Sequence, residues 1–421
     1  MANKIEKVIG REIIDSRGFP TVEAEVYTEQ SIVHETIGRA SVPSGASTGK
    51  YEAHELRDGD KKRFMGKGVL KAVKNINTII SDHLKGHDPD DQENIDNMLI
   101  KLDGTNNKER LGANAILAVS IANYKISKYH EDIIADTTPV PLVNILNGGV
   151  HADNELDIQE FMIVPINAGS FKHAVQISCE IFHNLKKILT DNSLSTNLGD
   201  EGGYAPQLKN HNEALDYLMK AIEKSGYKPG NDVYIALDAA SSEFYKNKKY
   251  ELTNENKVID SDELIKYYEN IISSYPIISI EDPMSENDLD GWKNITKSLG
   301  KKIQLVGDDL FVTNVERLSE GIKNKIANSI LIKLNQIGTV TETIKAINLA
   351  KNNNYNTIIS HRSGETEDSF IANLACSTQA GQIKTGSMAR SERLSKYNQI
   401  IRNEENVESK YAGRDVFSFL K

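Results

Sequence analysis

The chain has 421 residues, with 60 acidic and 50 basic side chains and a formal net charge of −10. That length holds a large core and two domains, and the acidic balance excludes nucleic acid as the main partner. Two cysteines, Cys179 and Cys376, are too few for a disulfide framework. No run is long enough to span a bilayer, and Met1-Ala2-Asn3-Lys4 lacks a signal-peptide core. The expectation is a cytoplasmic protein, with signal-less export as the only route to a surface.

Residues 5–14 and 21–27 read as strands, the second alternating Val22, Ala24 and Val26 with Glu23 and Glu25. The turn cluster of residues 15–20 separates them, and a third strand around residues 31–35 would complete a meander. The glycine- and hydroxyl-rich loop 41–50 resembles a P-loop but fails as one. Only three residues separate Gly45 from Gly49-Lys50, and Tyr51 stands where Ser or Thr should meet Mg²⁺. It reads instead as a lid or as a plain surface loop. Residues 60–130 are helical in pattern, notably 66–83 and 113–129. This gives an α+β N-terminal domain over residues 1–138 and a catalytic domain over 139–421.

The second domain opens with an apolar run at 142–146 and a glycine loop ending at His151. The segment 157–164 carries Gln159 and Glu160, a helix spans roughly 171–189, and Asp200 and Glu201 sit among glycines at 199–203. Paired carboxylates in such loops suit acid–base work on a leaving group; helix capping is the plainer alternative. Five short apolar runs then end on polar residues: Asp238, Glu281, Asp308, Lys333 and His361, with a weaker sixth ending on Lys384. Runs apolar on both faces read as buried parallel strands. Helical segments such as 261–274 and 339–352 separate them. Polar residues at strand C-termini are what a (β/α) barrel gathers into an active site. Asp238, Glu281 and Asp308 are hard oxygen donors, which favours Mg²⁺ over zinc or iron. A lysine beside such a cation tends to lose its proton, so the set suits proton abstraction next to a carboxylate. A charged helix closes the pattern near 390–405.

The stretches 41–49, 157–162, 199–203, 279–283, 333–338, 360–368 and 381–386 together resemble enolase, in order over essentially the whole chain. Ser-His-Arg-Ser-Gly-Glu-Thr-Glu-Asp at 360–368 and Lys-Leu-Asn-Gln-Ile-Gly at 333–338 are the most specific. His151-Ala-Asp-Asn is similar to the bacterial form. Phe19 and Glu155 depart from the family pattern, away from catalytic positions. The resemblance implies an atypical TIM-like (β/α)8 barrel with an α+β N-terminal domain, and Mg²⁺-dependent interconversion of 2-phospho-D-glycerate and phosphoenolpyruvate. It implies two Mg²⁺ ions, one on Asp238, Glu281 and Asp308, the other reached by lid Ser47. Lys333 would take the C2 proton, and Glu201, oriented with Glu160, would protonate the C3 hydroxyl. Arg362 and Ser363 would bind phosphate and Lys384 would face the carboxylate. His151 and Gln159 would line the pocket, with His361 near the substrate. At least a dimer is implied, with Arg11 and Glu23 pairing across it to Glu405 and Arg402. Two other readings stand beside this one. The first is a superfamily member acting on a non-phosphorylated acid, against which Arg362, Ser363 and Ser47 speak. The second is a non-catalytic surface receptor that offers terminal Lys421 to a lysine-binding partner.

Overall fold

Strands β1 (Ile5–Ile14) and β2 (Pro20–Thr28) pair antiparallel, and β3 (Gly38–Ser41) joins the other side of β2. These belong to a computed structural model that describes residues 4–29, 37–45, 49–127, 136–406 and 409–420. The strand expected around residues 31–35 lies outside the described residues; β3 completes the sheet. Alternation along β2 buries Val22, Ala24 and Val26 completely against helix Ala113–Ile126, whose residues 113–123 are all buried. A Cβ on Gly38 would sit 2.0 Å from Ala122 O, so only glycine lets sheet and helix approach this closely.

Arg11 does not extend free from the sheet. Its guanidinium pairs with Glu23 and Glu25, 2.5 Å each, on the neighbouring strand. Glu405 pairs with Lys172 at 3.2 Å, and Arg402 donates to Gln399 Oε1. The helix expected over 66–83 begins at Leu70 and continues through a π-helical stretch, Ile76–Ile80, to Leu84. Helices Gln92–Asp103 and Ala113–Ile126 dock on the barrel through polar groups. Asp96 Oδ2 and Ser120 Oγ accept the Thr341 and Val340 amides at the start of helix Val340–Asn352.

Eight strands close the barrel: Val140–Asn147, Glu160–Val164, Tyr234–Asp238, Ile277–Glu281, Gln304–Gly307, Ser329–Ile332, Asn356–Ser360 and Gly381–Lys384. The runs that end on Asp238, Glu281, Lys333, His361 and Lys384, and the one before Asp308, are all parallel neighbours. The second strand is the exception, antiparallel to both its neighbours. Its first residue, Glu160, therefore lies at the same mouth as the last residues of the others. Gln304 donates to Ser279 Oγ and Gln382 Oε1, 3.0 Å each, in a buried polar layer below that mouth. Among the described residues no helix is long and apolar enough to cross a membrane.

Candidate active site

Register carries three carboxylates to the mouth side by side: Glu160 is paired with Asp238, and Asp238 with Glu281. Asp308, Lys333 and His361 each follow immediately on a barrel strand, and Lys384 ends the last one. One pocket is lined by every expected site residue except Glu281, which lies behind Lys384, and Ser47, which is outside the described residues. Asp282 stabilises the strand ends locally. Its carboxylate accepts the amides of Asp308 and Asp309, 2.9 Å each, from a backbone held at φ +40, a strained region for a non-glycine residue.

The pocket carries eight carboxylates against three cationic side chains. Lys384 Nζ is buried and lies 2.8 Å from Glu281, 2.9 Å from Asp238 and 3.1 Å from Glu160. Burial alone would drive off its proton, but those carboxylates outweigh it and hold the ammonium well above its ordinary range. Lys333 Nζ meets Asp308 Oδ2 at 2.5 Å, and Gln336 donates to the other Asp308 oxygen at 2.9 Å. Burial again opposes the charge on Lys333, and Asp308 prevails, raising it. The proton loss expected of Lys333 refers to a neighbouring cation; Asp308 is the group that favours its charge.

Burial and the charge of Asp238 push Glu281 well above the carboxylate range. Crowding of this kind, among hard oxygen donors, is relieved by a divalent cation. The expected trio Asp238, Glu281 and Asp308 thus offers oxygen donors that suit a divalent metal ion. Asp308 also lies with Asp282 and Asp309 in a triad whose ligand atoms fall within 4.8 Å of one another. Asp309 is pushed up to about 7 by burial and by Asp308.

Across the pocket, Glu160, Glu201 and His151 form a second close triad. Asn144 Nδ2 donates to Glu201 Oε2 at 3.1 Å, and His361 Nε2 lies 3.4 Å from the same oxygen. His151 Nδ1 stands 3.5 Å from Glu160 and 3.7 Å from Glu201. Burial and the charge of Glu201 raise Glu160 well above the usual range. Glu201 is held well below it, against its own burial, by neighbours led by His361 and His151. Burial and the neighbouring charge thus favour the protonated form of Glu160 over that of Glu201. Glu160 Oε2, His151 Nδ1 and His361 Nε2 are buried without a close hydrogen-bond partner.

Arg362 donates through Nη1 to Glu52 Oε2 (3.0 Å) and Asn335 Oδ1 (2.9 Å), and through Nη2 to Glu52 Oε1 (3.2 Å). Ser363 Oγ accepts from Arg17 Nη1 at 3.4 Å. The Arg17 guanidinium also donates to the Ser44 and Gly45 carbonyls at the lid base. Gln159 Nε2 donates to Asp238 Oδ2 at 3.3 Å. Sequence reading passed over several of these partners. Asn335 and Gln336 lie inside a stretch it quoted, Asp282 and Asp309 directly follow residues it chose, and Glu52 stands two residues beyond the loop it rejected as a P-loop. Arg393 carried no signal. Phe19 lies beneath the Lys67 ammonium at 3.7 Å and Glu155 is exposed; neither lines the pocket.

Two family descriptions match the chain: "Enolase, N-terminal domain" over residues 5–133 and "Enolase, C-terminal TIM barrel domain" over residues 135–419. With matches over nearly its whole length, and with an eight-strand barrel, one reversed strand and an acid-rich mouth, the chain belongs to the enolase family.

Proposed function

We propose that this protein catalyses the reversible dehydration of 2-phospho-D-glycerate to phosphoenolpyruvate. The observation that carries the reading is the placement of Lys333 and the Glu160–Glu201 pair. The strands that bear Lys333 and Glu160 are four apart in a ring of eight, diametrically opposed. A base and an acid on opposite faces of one substrate is what loss of a C2 proton and a C3 hydroxyl requires. Asp238, Glu281 and Asp308 would hold Mg²⁺, which when bound supplies positive charge against the substrate carboxylate. Ser47, the residue assigned to a second ion, lies outside the described residues.

Lys333 takes the C2 proton. It can do so once Asp308 is engaged elsewhere, since Asp308 is what keeps Lys333 charged. Glu201 gives a proton to the departing C3 hydroxyl. Glu160, the member of the pair whose protonated form is favoured, supplies that proton to Glu201 as the substrate settles. Lys384, released from Asp238 and Glu281, faces the carboxylate. Arg362 and Ser363 bind the phosphate, which must displace Glu52 from the guanidinium. His151 and Gln159 line the pocket. The substrate carries about three negative charges, so a pocket this acidic must hold cations or protons to admit it. The same reading places the protein in glycolysis, in the cytoplasm, as at least a dimer of bacterial type.

The test is formation of phosphoenolpyruvate from 2-phosphoglycerate by the full chain in Mg²⁺. Steady turnover that stops on chelation is expected. No product from folded, Mg²⁺-supplied protein, or turnover of a non-phosphorylated acid in its place, would overturn the reading.

A further inference from the structure

Arg393 lies in the first turn of helix Ser391–Asn406 and is completely buried. It does not line the pocket. Nη1 meets His361 Nδ1 at 2.6 Å and donates to Arg362 O at 2.6 Å. Nη2 donates to Ser363 O at 2.5 Å and Asp200 O at 3.2 Å. Its nearest carboxylate is Glu392, 3.5 Å from Nε. One side chain thus ties the loop that carries Glu201 to the strand end that carries His361 and Arg362. The packing leaves no slack: a Cβ on Gly386 would come within 2.8 Å of both Arg393 Cδ and Glu201 O.

A guanidinium has five N–H donors, no acceptor, and keeps its charge at any working pH. The ring nitrogen that faces it at 2.6 Å must therefore present a lone pair. An imidazolium, with N–H on both nitrogens, cannot sit there. The His361 proton has to be on Nε2, which is 3.4 Å from Glu201 Oε2 and otherwise unpartnered. We propose that Arg393 is a positioning residue that locks His361 as the neutral Nε2–H tautomer, so that His361 serves as a hydrogen-bond donor beside Glu201 and not as a proton carrier. The charged groups around the ring are Glu201, Glu365 and Arg393. Burial, with Arg393 adding, pushes His361 down to about 4, in accord with the geometry. The catalytic consequence rests on Glu201 being the acid of the proposed reaction; the tautomer does not.

The experiment is ¹H–¹⁵N correlation NMR on full-length, histidine-labelled protein without substrate, with His361 assigned by loss of its signals in His361→Gln. Wild type should show the Nε2–H form, unchanged from pH 8 to about 5.5. In Arg393→Met that still melts cooperatively, His361 should titrate nearer the ordinary value of about 6.5. An Nδ1–H tautomer, or an imidazolium in wild type at neutral pH, would overturn the assignment without reference to any variant. Kinetics give a second readout. His361→Gln keeps a neutral N–H and should retain about tenfold more turnover than His361→Phe, the worth of one hydrogen bond. Equal losses in the two would count against the donor role. The tautomer is read without substrate, so a protein that forms no phosphoenolpyruvate still supports or overturns the lock.

Discussion

The lysines and the histidines at the barrel mouth are held on opposite terms. Lys384 and Lys333 are surrounded by carboxylates at 2.5–3.1 Å and kept charged against their burial. His151 and His361 are equally buried, yet both are pushed down toward neutrality and each leaves a ring nitrogen unpartnered. The lysine side has its charges satisfied and must be rearranged by a competing cation or anion before it can act. The histidine side is unsatisfied, and the Glu160–Glu201 pair it surrounds is pushed apart in proton affinity. In the proposed reaction the first region holds charge and takes the C2 proton, and the second delivers a proton to the departing hydroxyl. Changes in the two should therefore fail differently.

The largest loss is expected on the lysine side. Lys333→Ala removes the base, worth about 10²–10⁴-fold in rate, and leaves Asp308 without its ammonium. Turnover and exchange of the C2 hydrogen should be abolished together, as read by product formation and by deuterium uptake. Cation removal comes next: exhaustive chelation should stop turnover, and Asp308→Asn should weaken Mg²⁺ binding as measured by calorimetry. Full activity after chelation would refute the charge-managing role of the trio.

A smaller effect is expected where charge meets the lid. Arg362→Ala should cost a phosphate-bearing inhibitor about 1.5–3 kcal/mol in binding, the range for a charge-assisted contact. Glu52→Gln should tighten the same inhibitor by a few-fold at most, since Glu52 competes for that guanidinium. Unchanged affinity in Arg362→Ala would remove Arg362 as the phosphate clamp.

A control lies outside both regions. His211 Nε2 accepts the amides of Asp157 and Ile158, and burial pushes the ring down to about 4. Its folded pKa is below the unfolded value of about 6.5, so the unfolded chain binds the extra proton first. The stability His211 contributes is full above about pH 6.5 and is lost as pH falls toward 4, on the order of 3 kcal/mol across that window. Thermal melts should show a shallower acid loss in His211→Gln, with turnover at neutral pH little affected.

Strand ends were the part of this site most legible in the sequence. A four- or five-residue apolar run that stops on Asp, Glu, Lys or His marks both the strand and the direction its last side chain faces. Glu160 shows the limit: it precedes its apolar run, and only the antiparallel pairing with Val140–Asn147 and Tyr234–Asp238 brings it to the mouth. Residues that act from other elements left no local trace. Arg393 reads as one more charge on a charged helix, and Glu52 as loop. Nor does the sequence name Asp308 as the carboxylate that faces Lys333 at 2.5 Å, a contact made only when their strands pair in the barrel. The split between Glu160 and Glu201 depends on burial and on partners from five segments, which no spacing rule encodes.

The separability of the two regions is tested most directly in Glu201→Gln, which keeps the shape of the acid and removes its proton. The measurement is deuterium incorporation at C2 of recovered 2-phosphoglycerate in heavy water, beside phosphoenolpyruvate formation, at saturating Mg²⁺. Turnover should fall by about 10²–10⁴-fold while C2 exchange, which depends on Lys333 and the carboxylate trio, survives far better. Loss of exchange and turnover in equal proportion would contradict the division of the site into a half that takes the C2 proton and a half that gives one to the hydroxyl.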